Sequence, residues 1–168
     1  DLVNNLSSSN GTNFAKAIMT TDTVHKEIAV EINIKGKAVR LAGAVKGAGM
    51  ICPDMATMLA FFTTDVVIEK KALNQAFKEA IYDSFNKITV DGDMSTNDSA
   101  IIFANGQAEN SVIKNNTKDY FIFLETVKFA AKELSRKIIL DGEGATRFIE
   151  IIVKGAEIED SAKLVAKR

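Results

Sequence analysis

A β-hairpin pattern in the first third of the chain constrains the fold more than any other feature. In residues 28–34, β-branched apolar side chains alternate with other side chains. The four β-branched residues therefore fall on one face: Ile28, Val30, Ile32 and Ile34. A period of two is typical of a strand with one face toward a core. Lys35-Gly36-Lys37 is typical of a turn, and residues 38–45 of the returning strand. The sequence therefore predicts an antiparallel pair that runs directly into the Gly-rich segment 46–51.

The rest of the chain predicts grouped helices and strands. Strands are predicted for three ranges: 57–64, which is apolar enough to be buried on both faces, 100–104 and 146–153. Helices are predicted for three ranges: 70–86, whose apolar residues lie on one stripe, 117–140 and 160–167. Loops are predicted for residues 7–12 and 91–98. This grouping favours an α+β or layered α/β fold in which helices cover a sheet.

Composition indicates a globular chain and excludes several functions. Its 168 residues correspond to one domain or part of one, and a hydrophobic content of 46% is enough for a core. The net charge of -1 gives no basic excess for nucleic acid or an anionic membrane. The apolar runs are shorter than a membrane span. A single cysteine, Cys52, forms no internal disulfide, which fits the reducing cytoplasm. We therefore expect a cytoplasmic protein.

The segment from Cys52 to Leu59, with the sequence CPDMATML, has the pattern of a self-cleaving threonine site. The Thr57 hydroxyl would attack the Ala56 carbonyl, and hydrolysis of the resulting ester would leave Thr57 as a new chain start. Its free amine would then be the general base for its own hydroxyl, since an α-amine has a pKa near ~8. The alternative is a Thr that serves only as a β-former in its strand.

Four blocks in order resemble one family. They are residues 19–23 (MTTDT), 46–62 (KGAGMICPDMATMLAFF), 84–99 (SFNKITVDGDMSTNDS) and 141–146 (DGEGAT). The second block resembles the cleavage segment of the ornithine acetyltransferase (glutamate N-acetyltransferase) family. The resemblance implies a layered sandwich of the N-terminal-nucleophile hydrolase type, incomplete here. It also implies that residues 1–168 are one domain from the central part of a longer enzyme, cleaved between Ala56 and Thr57.

The resemblance implies a ping-pong acetyl transfer in arginine biosynthesis. N-acetylornithine would acetylate Thr57, and the amine of glutamate would attack the acetyl-enzyme. The implied partners are these two substrates, the remaining segments of the same precursor, and further copies in a homo-oligomer of cleaved heterodimers. No metal or organic cofactor is implied. Acetyl-CoA is a second donor in bifunctional members of the family, which would add an amino-acid N-acetyltransferase activity.

The family's substrate residues match four positions of this chain: Thr23, Lys46, Thr57 and Glu143. Lys46 could bind a substrate carboxylate, or keep the Thr57 amine neutral by charge repulsion. Glu143 suits the ammonium group of ornithine, because a carboxylate pairs with it through charge-assisted hydrogen bonds. Without the resemblance, Lys46 would be a solvated strand-end residue and Glu143 an acidic turn residue.

Three other polar features have alternative interpretations. The loop 91–98 does not fit a calcium-binding EF-hand loop, which needs Gly at its sixth position and Glu at its twelfth, so we interpret it as scaffolding beside the site. His25 is the one histidine, and it replaces a Pro of the family, which argues against a catalytic role. Asp54 replaces the family's more usual Asn and adds a charge near the scissile bond.

Two other classes of function stay open. A threonine-nucleophile aminopeptidase or amidase would share the Thr57 chemistry but hydrolyse its acyl-enzyme. A non-catalytic fragment would fold without acting. The family's oxyanion donors, a Thr-Gly pair upstream of the nucleophile, match nothing in this chain. We therefore expect residues 1–168 alone to be inactive.

Overall fold

Four strands form one mixed sheet in a computed structural model that describes residues 4, 6–52, 58–93 and 97–166. The strands follow the order β1-β2-β3-β4 across the sheet. Their bounds, in chain order, are Lys26–Ile34 (β1), Lys37–Lys46 (β2), Leu59–Thr64 (β3) and Ser99–Ala104 (β4). The helices are Gly11–Ala17 (α1), Lys70–Tyr82 (α2), Lys118–Leu140 (α3) and Glu159–Ala166 (α4), with a 3-10 turn at Phe85–Lys87.

The predicted hairpin is confirmed. Strands β1 and β2 pair antiparallel, and Ile34 faces Lys37 across a two-residue turn. Both turn residues have positive φ, 51° at Lys35 and 86° at Gly36, as hairpin turns of this length prefer. The side chain of Asn33 accepts a hydrogen bond from the Gly36 amide at 2.7 Å. Strand β3 then pairs antiparallel with β2 and parallel with β4.

Helices α2 and α3 form a layer over one face of the sheet. Helix α3 begins at Thr117, whose hydroxyl accepts from the Tyr120 amide and so caps the first turn. The helix lies close to β2, where a Cβ added at Gly43 would be 2.9 Å from Cδ1 of Leu134. The core between the two layers includes Leu41, Val45, Phe62, Phe123, Leu134 and Ile138. This sheet-and-helix arrangement confirms the predicted layered α+β class.

The other face of the sheet is only partly covered. Helix α1 lies there, and the rings of Phe14 and Phe61 meet edge to face at 5.4 Å. Phe103 is 59% exposed on this face. The prediction that 57–64 is buried on both faces is therefore wrong for β3, whose burial alternates along the strand. The apolar character of residues 57–64 suggests two covered faces, but only the short helix α1 lies over this second face, and it leaves Phe103 exposed.

Three other elements differ from the sequence prediction. Residues 146–153 form no strand, since no described strand lies beside them, and Ile149, Ile151 and Ile152 are largely exposed. The first helix, α1, was not predicted because its seven residues are too few to show a clear period. Helix α2 ends at Tyr82, short of residue 86. None of the described helices is long and apolar enough to cross a membrane.

Candidate functional site

Three strands meet at one edge of the sheet, which we call the site edge. Strand β2 ends there with Lys46, and β3 and β4 begin there with Leu59 and Ser99. Lys46 is the register partner of Leu59, which is also the partner of Ser99. Leu59 follows Thr57 by two residues. The strand pairing therefore brings Lys46 and the beginning of β4 to the end of β3 that is nearest to Thr57 along the chain.

Residues 50–51 are held by hydrogen bonds just before residues 53–57, where cleavage is predicted. The carboxylate of Asp91 accepts from the amides of Met50 at 2.5 Å and Ile51 at 3.1 Å. Met50 has a φ of 56°, an uncommon backbone conformation for a residue other than glycine. The carbonyl of Ile51 accepts from the Val90 amide at 2.8 Å and from the Thr89 hydroxyl at 2.9 Å. These contacts agree with the interpretation of the loop 91–98 as scaffolding.

Hydrogen bonds also hold the chain at Met58, just after residues 53–57. Oδ1 of Asp98 accepts from the Met58 amide at 2.9 Å, and the Ser99 amide donates to the Met58 carbonyl at 3.2 Å. Burial raises the pKa of Asp98, and the Met58 hydrogen bond and the charge of Lys46 offset part of that rise. The same polar loop thus holds both flanks of residues 53–57, with Asp91 before them and Asp98 after them.

A buried ion cluster of Lys26, Asp22 and Asp141 lies behind the site edge, and we call it the Lys26 cluster. The ammonium of Lys26 is fully buried and lies 2.6 Å from Oδ1 of Asp22 and 2.5 Å from Oδ2 of Asp141. Oδ1 of Asp22 also accepts from the Gly47 amide at 2.8 Å. Asp141 accepts from both the amide and the hydroxyl of Thr23. The cluster therefore joins the MTTDT block, the Gly-rich segment and the DGEGAT block.

The two carboxylates of the Lys26 cluster are held ionised. Burial raises the pKa of Asp22, but hydrogen bonds from the Gly47 amide and Lys26 outweigh it, and the net pKa lies below the ordinary value. Burial likewise raises the pKa of Asp141, and the hydrogen bonds from Lys26 and Thr23 reverse the direction to a lowered pKa. Two carboxylates around one buried cation carry one net negative charge. The hydrogen bonds donated by Gly47 and Thr23 stabilise this charge.

Glu143 reaches the Gly-rich segment from the end of α3. Its amide donates to the Ala48 carbonyl at 2.8 Å, and its exposed carboxylate lies over Gly49. A Cβ added at Gly49 would be 2.8 Å from Cδ of Glu143. The absence of a side chain at residue 49 is therefore what makes room for this carboxylate.

The structure brings together three of the predicted substrate residues. Thr23 donates to Asp141, and the Glu143 amide donates to Ala48. Nζ of Lys46 lies 3.5 Å from Oγ1 of Thr20, in the MTTDT block. Thr57, Ala56 and Asp54 lie outside the described residues. His25 is exposed, and its Nε2 lies 3.6 Å from Oε1 of Glu27. Among the described residues, no group of three His, Cys, Asp or Glu side chains could hold a metal ion.

Sequence reasoning did not identify Lys26, Asp22, Asp141 and Asp98. Asp22 and Asp141 stand within blocks that carry the family resemblance, and this was the available signal. Their partner, Lys26, is 115 positions from Asp141, a separation at which no local spacing pattern exists. Asp98 was predicted only as part of the scaffolding loop.

The comparisons with known proteins fit the four blocks. The sequence model of the ArgJ family matches residues 1–168. The chain belongs to the ArgJ family. It is 53% identical over 162 residues to the arginine biosynthesis bifunctional protein ArgJ of Dehalococcoides mccartyi, covering 96% of this chain and 40% of that protein. It is 48% identical over 155 residues to the protein of the same name from Bacillus subtilis, covering 92% and 38%.

A solved structure shares the fold. The crystal structure of arginine biosynthesis bifunctional protein argJ from Bacillus halodurans superposes with a TM-score of 0.63 at 42% identity. The match covers 66% of this chain and 52% of that chain. The predicted fold of the N-terminal-nucleophile hydrolase type is thereby confirmed for the covered part. The chain spans about 40% of the length of the curated relatives that it matches.

Proposed function

We propose that the protein containing this chain transfers an acetyl group from N-acetylornithine to glutamate through an acetyl-threonine at Thr57. The supporting observation is the register at the site edge, which aligns Lys46 with Leu59, two residues after Thr57. Family membership supports the same proposal, because the relatives are named for bifunctional action in arginine biosynthesis. The reaction itself, its substrates and the cleavage are our inference.

Cleavage would come first. Oγ of Thr57 attacks the Ala56 carbonyl carbon, the Ala56–Thr57 C–N bond breaks, and the nitrogen gains the proton that the hydroxyl loses. Water then hydrolyses the ester and leaves Thr57 with a free amine. The contacts of Asp91 with residues 50–51 and of Asp98 with Met58 support this step. They anchor both flanks, and fixing reacting groups in place lowers the entropic cost of attack.

Transfer follows with the same nucleophile. The Thr57 amine takes the hydroxyl proton while Oγ attacks the acetyl carbon, and ornithine leaves after its nitrogen gains that proton. The amine of glutamate then attacks the ester, acetyl passes to its nitrogen, and Oγ regains a proton. In this proposal the Glu143 carboxylate pairs with the side-chain ammonium of ornithine and Lys46 with a substrate carboxylate. The Thr23 hydroxyl would be a further substrate contact.

The first experiment tests the nucleophile. Full-length protein should be cut between Ala56 and Thr57, so that N-terminal sequencing of the new fragment gives Thr-Met-Leu-Ala. Thr57→Ala should stay uncut and inactive. Thr63→Ala is the matched control, since Thr63 is an exposed Thr of β3, six residues further along the chain, and it should be cut normally. Cleavage at another bond, or activity from uncut Thr57→Ala, would refute the assignment.

The second experiment separates transfer from hydrolysis. Cleaved protein is mixed with N-acetylornithine, with and without glutamate, and N-acetylglutamate and acetate are measured. Transfer predicts N-acetylglutamate and little acetate, whereas an aminopeptidase or amidase would release acetate in both mixtures. Acetyl-CoA in place of N-acetylornithine tests the second donor. Residues 1–168 alone should give no product, because removal of oxyanion donors lowers turnover by roughly a hundred- to a thousand-fold.

A further inference from the structure

The hydroxyl proton of Thr23 is held by Asp141. The hydroxyl donates to Oδ1 of Asp141, and the Thr23 amide lies 3.0 Å from Oδ2 of the same carboxylate. Burial raises the pKa of Asp141, but the hydrogen bonds from Lys26 and Thr23 outweigh it, so the carboxyl group stays ionised at neutral pH. An ionised carboxylate can only accept hydrogen bonds. The direction of the bond between Thr23 and Asp141 is therefore fixed.

Lys26 fixes the other oxygen of Asp141. Its ammonium has three N–H donors, and each has an acceptor: Oδ1 of Asp22 at 2.6 Å, Oδ2 of Asp141 at 2.5 Å and the Val24 carbonyl at 3.3 Å. Lys26 is fully buried, so an acceptor that is removed would leave an unpaired buried donor, which destabilises the protein. The Oδ2 position must therefore hold an acceptor.

The oxygen of Thr23 keeps its capacity to accept. A threonine hydroxyl has one donor and two acceptor sites, and no residue that the structure describes donates to Oγ1 of Thr23. Thr23 is exposed, and the residues before it hold the MTTDT block at the site edge. Asp22 accepts from the Gly47 amide at 2.8 Å, and Oγ1 of Thr20 lies 3.5 Å from Nζ of Lys46. A ligand that reaches Thr23 therefore meets an acceptor.

We propose that Asp141 is a positioning residue that makes Thr23 accept, and not donate, a hydrogen bond at the substrate site. The substrate group that Thr23 recognises is then an N–H. The proposal rests on the proposed function, which supplies the substrate. N-acetylornithine has two groups of this kind, the acetamide N–H and the side-chain ammonium. Its carboxylate does not suit Thr23, because a carboxylate needs a donor.

Asp141→Asn should reverse the direction of this hydrogen bond. Lys26 only donates, so the side-chain oxygen of the new residue should take the Oδ2 position, which leaves the NH2 group at the Oδ1 position. The NH2 group would donate to Oγ1 of Thr23, and the Thr23 hydroxyl would then turn its proton toward the substrate. Lys26 keeps its ion pair with Asp22, so its charge stays compensated.

The first test combines Asp141→Asn with Thr23→Val in the cleaved full-length protein. Valine has the shape of threonine without the hydroxyl, so each single variant should lower kcat/KM for N-acetylornithine roughly ten-fold, because a substrate N–H loses its acceptor. The double variant should lose little more, since the two residues act as one unit. Thr23→Ser keeps the hydroxyl and should keep most of the activity. A purely structural role of Asp141 predicts that its loss adds fully to that of Thr23→Val.

Asp119→Asn is the matched control for the removal of a buried carboxylate. Asp119 is buried, and its Oδ2 lies 2.6 Å from Nζ of Lys35. It belongs to the first turn of α3, whereas Asp141 follows the last turn of the same helix. Asp119→Asn should therefore have the kcat/KM of wild type and should not change the effect of Thr23→Val.

The second test changes the substrate and leaves Asp141 intact. N-acetylnorvaline lacks the side-chain amine, and the ester analogue of N-acetylornithine has an oxygen in place of the acetamide N–H. The ratio of kcat/KM between wild type and Thr23→Val is measured with N-acetylornithine and with each analogue; for an analogue that is not a donor, the inhibition constant is used. The ratio should fall from roughly ten to about one with the analogue that lacks the recognised N–H. Equal ratios for all three compounds would overturn the proposal.

The outcomes separate the two levels of inference. Equal ratios, or fully additive losses from Asp141→Asn and Thr23→Val, overturn the role of Asp141 and leave the proposed function standing if wild type is cut before Thr57 and transfers acetyl. A wild-type protein that is not cut there, or that does not act on N-acetylornithine, overturns both. If Asp141→Asn does not fold, the ratios with the two analogues decide.

Discussion

The ammonium of Lys26 lies 2.5 Å from the carboxylate of Asp141, and this ion pair joins the beginning of β1 to the end of α3. Both side chains are almost completely buried, with 0% and 5% of their surfaces exposed. Two residues after Asp141, Glu143 lies over the Gly-rich segment, and Gly47 of that segment donates to Asp22, the other carboxylate partner of Lys26. The pair is therefore placed to set the position of Glu143 relative to Lys46.

Lys26→Met should destabilise the protein strongly. The methionine fills similar volume but leaves two buried carboxylates without their cation, and breaking a buried pair in this way costs about 3–5 kcal/mol. Urea unfolding of the variant and wild type measures the difference. Lys37→Met is the control, because Lys37 is exposed and 3.9 Å from its partner Glu109; we expect a change below about 0.5 kcal/mol. Equal effects of the two substitutions would contradict the assigned role.

The stabilisation by the Lys26 cluster should be lost in acid. The pKa values of Asp22 and Asp141 are lowered in the folded protein, so their contribution is complete above the unfolded value of about 3.9 and falls as the pH drops through the folded values. The difference in unfolding free energy between wild type and Lys26→Met should therefore shrink as the pH falls below about 4. Urea titrations from neutral pH into this range measure it, and a constant difference would contradict the mechanism.

Local patterns in the sequence predicted most elements. The alternation of Ile28 to Ile34 and the turn at Gly36 predict the hairpin, and the apolar stripe that begins beyond Lys70 predicts α2. The strand predicted at 146–153 failed because its apolar residues have no partner strand among the described residues. A pattern of apolar side chains indicates that a segment tends to be buried. It does not show which other strand or helix will bury it, because that depends on tertiary structure.

The sequence predicted the residues of the site only as separate blocks, without their contacts in space. Thr23, Lys46 and Glu143 followed from the family resemblance, and their convergence was not visible in the spacing. The Lys26 cluster depends on contacts between residues 22–26 and 141, across more than a hundred positions. The contact of Asp98 with the Met58 amide likewise joins residues 40 positions apart, which no local pattern in the sequence shows.

Glu143→Gln should weaken the use of N-acetylornithine and leave cleavage intact. The substitution keeps the shape but removes the charge proposed to meet the ornithine ammonium, which is worth on the order of 1.5–3 kcal/mol, or roughly ten- to a hundred-fold in kcat/KM. Steady-state kinetics and N-terminal sequencing give the two readouts. Glu150→Gln, another exposed Glu, should behave as wild type. Unchanged kinetics in Glu143→Gln would make Glu143 a turn residue only.

Gly49→Ala should disturb the site through Glu143 and have little effect on stability. The new Cβ would be 2.8 Å from Cδ and 2.9 Å from Oε2 of Glu143, so the carboxylate must move. Because it is the far end of an exposed side chain, it can do so at low cost, and the free energy of unfolding should change by less than about 1 kcal/mol. A displacement of about 1 Å can lower a rate by up to ~10²-fold, and we expect at least about a ten-fold loss in kcat/KM for N-acetylornithine.

The double variant Gly49→Ala/Glu143→Gln decides whether the loss acts through Glu143. If it does, adding Gly49→Ala to Glu143→Gln should lower kcat/KM little further, since the displaced charge is already absent and coupled residues are non-additive. Gly11→Ala is the matched control, because a Cβ at Gly11 meets nothing within 4 Å; its kinetics should equal those of wild type. If the losses in kcat/KM are fully additive in the double variant, Gly49 acts through the backbone conformation of the Gly-rich segment and not through the Glu143 carboxylate.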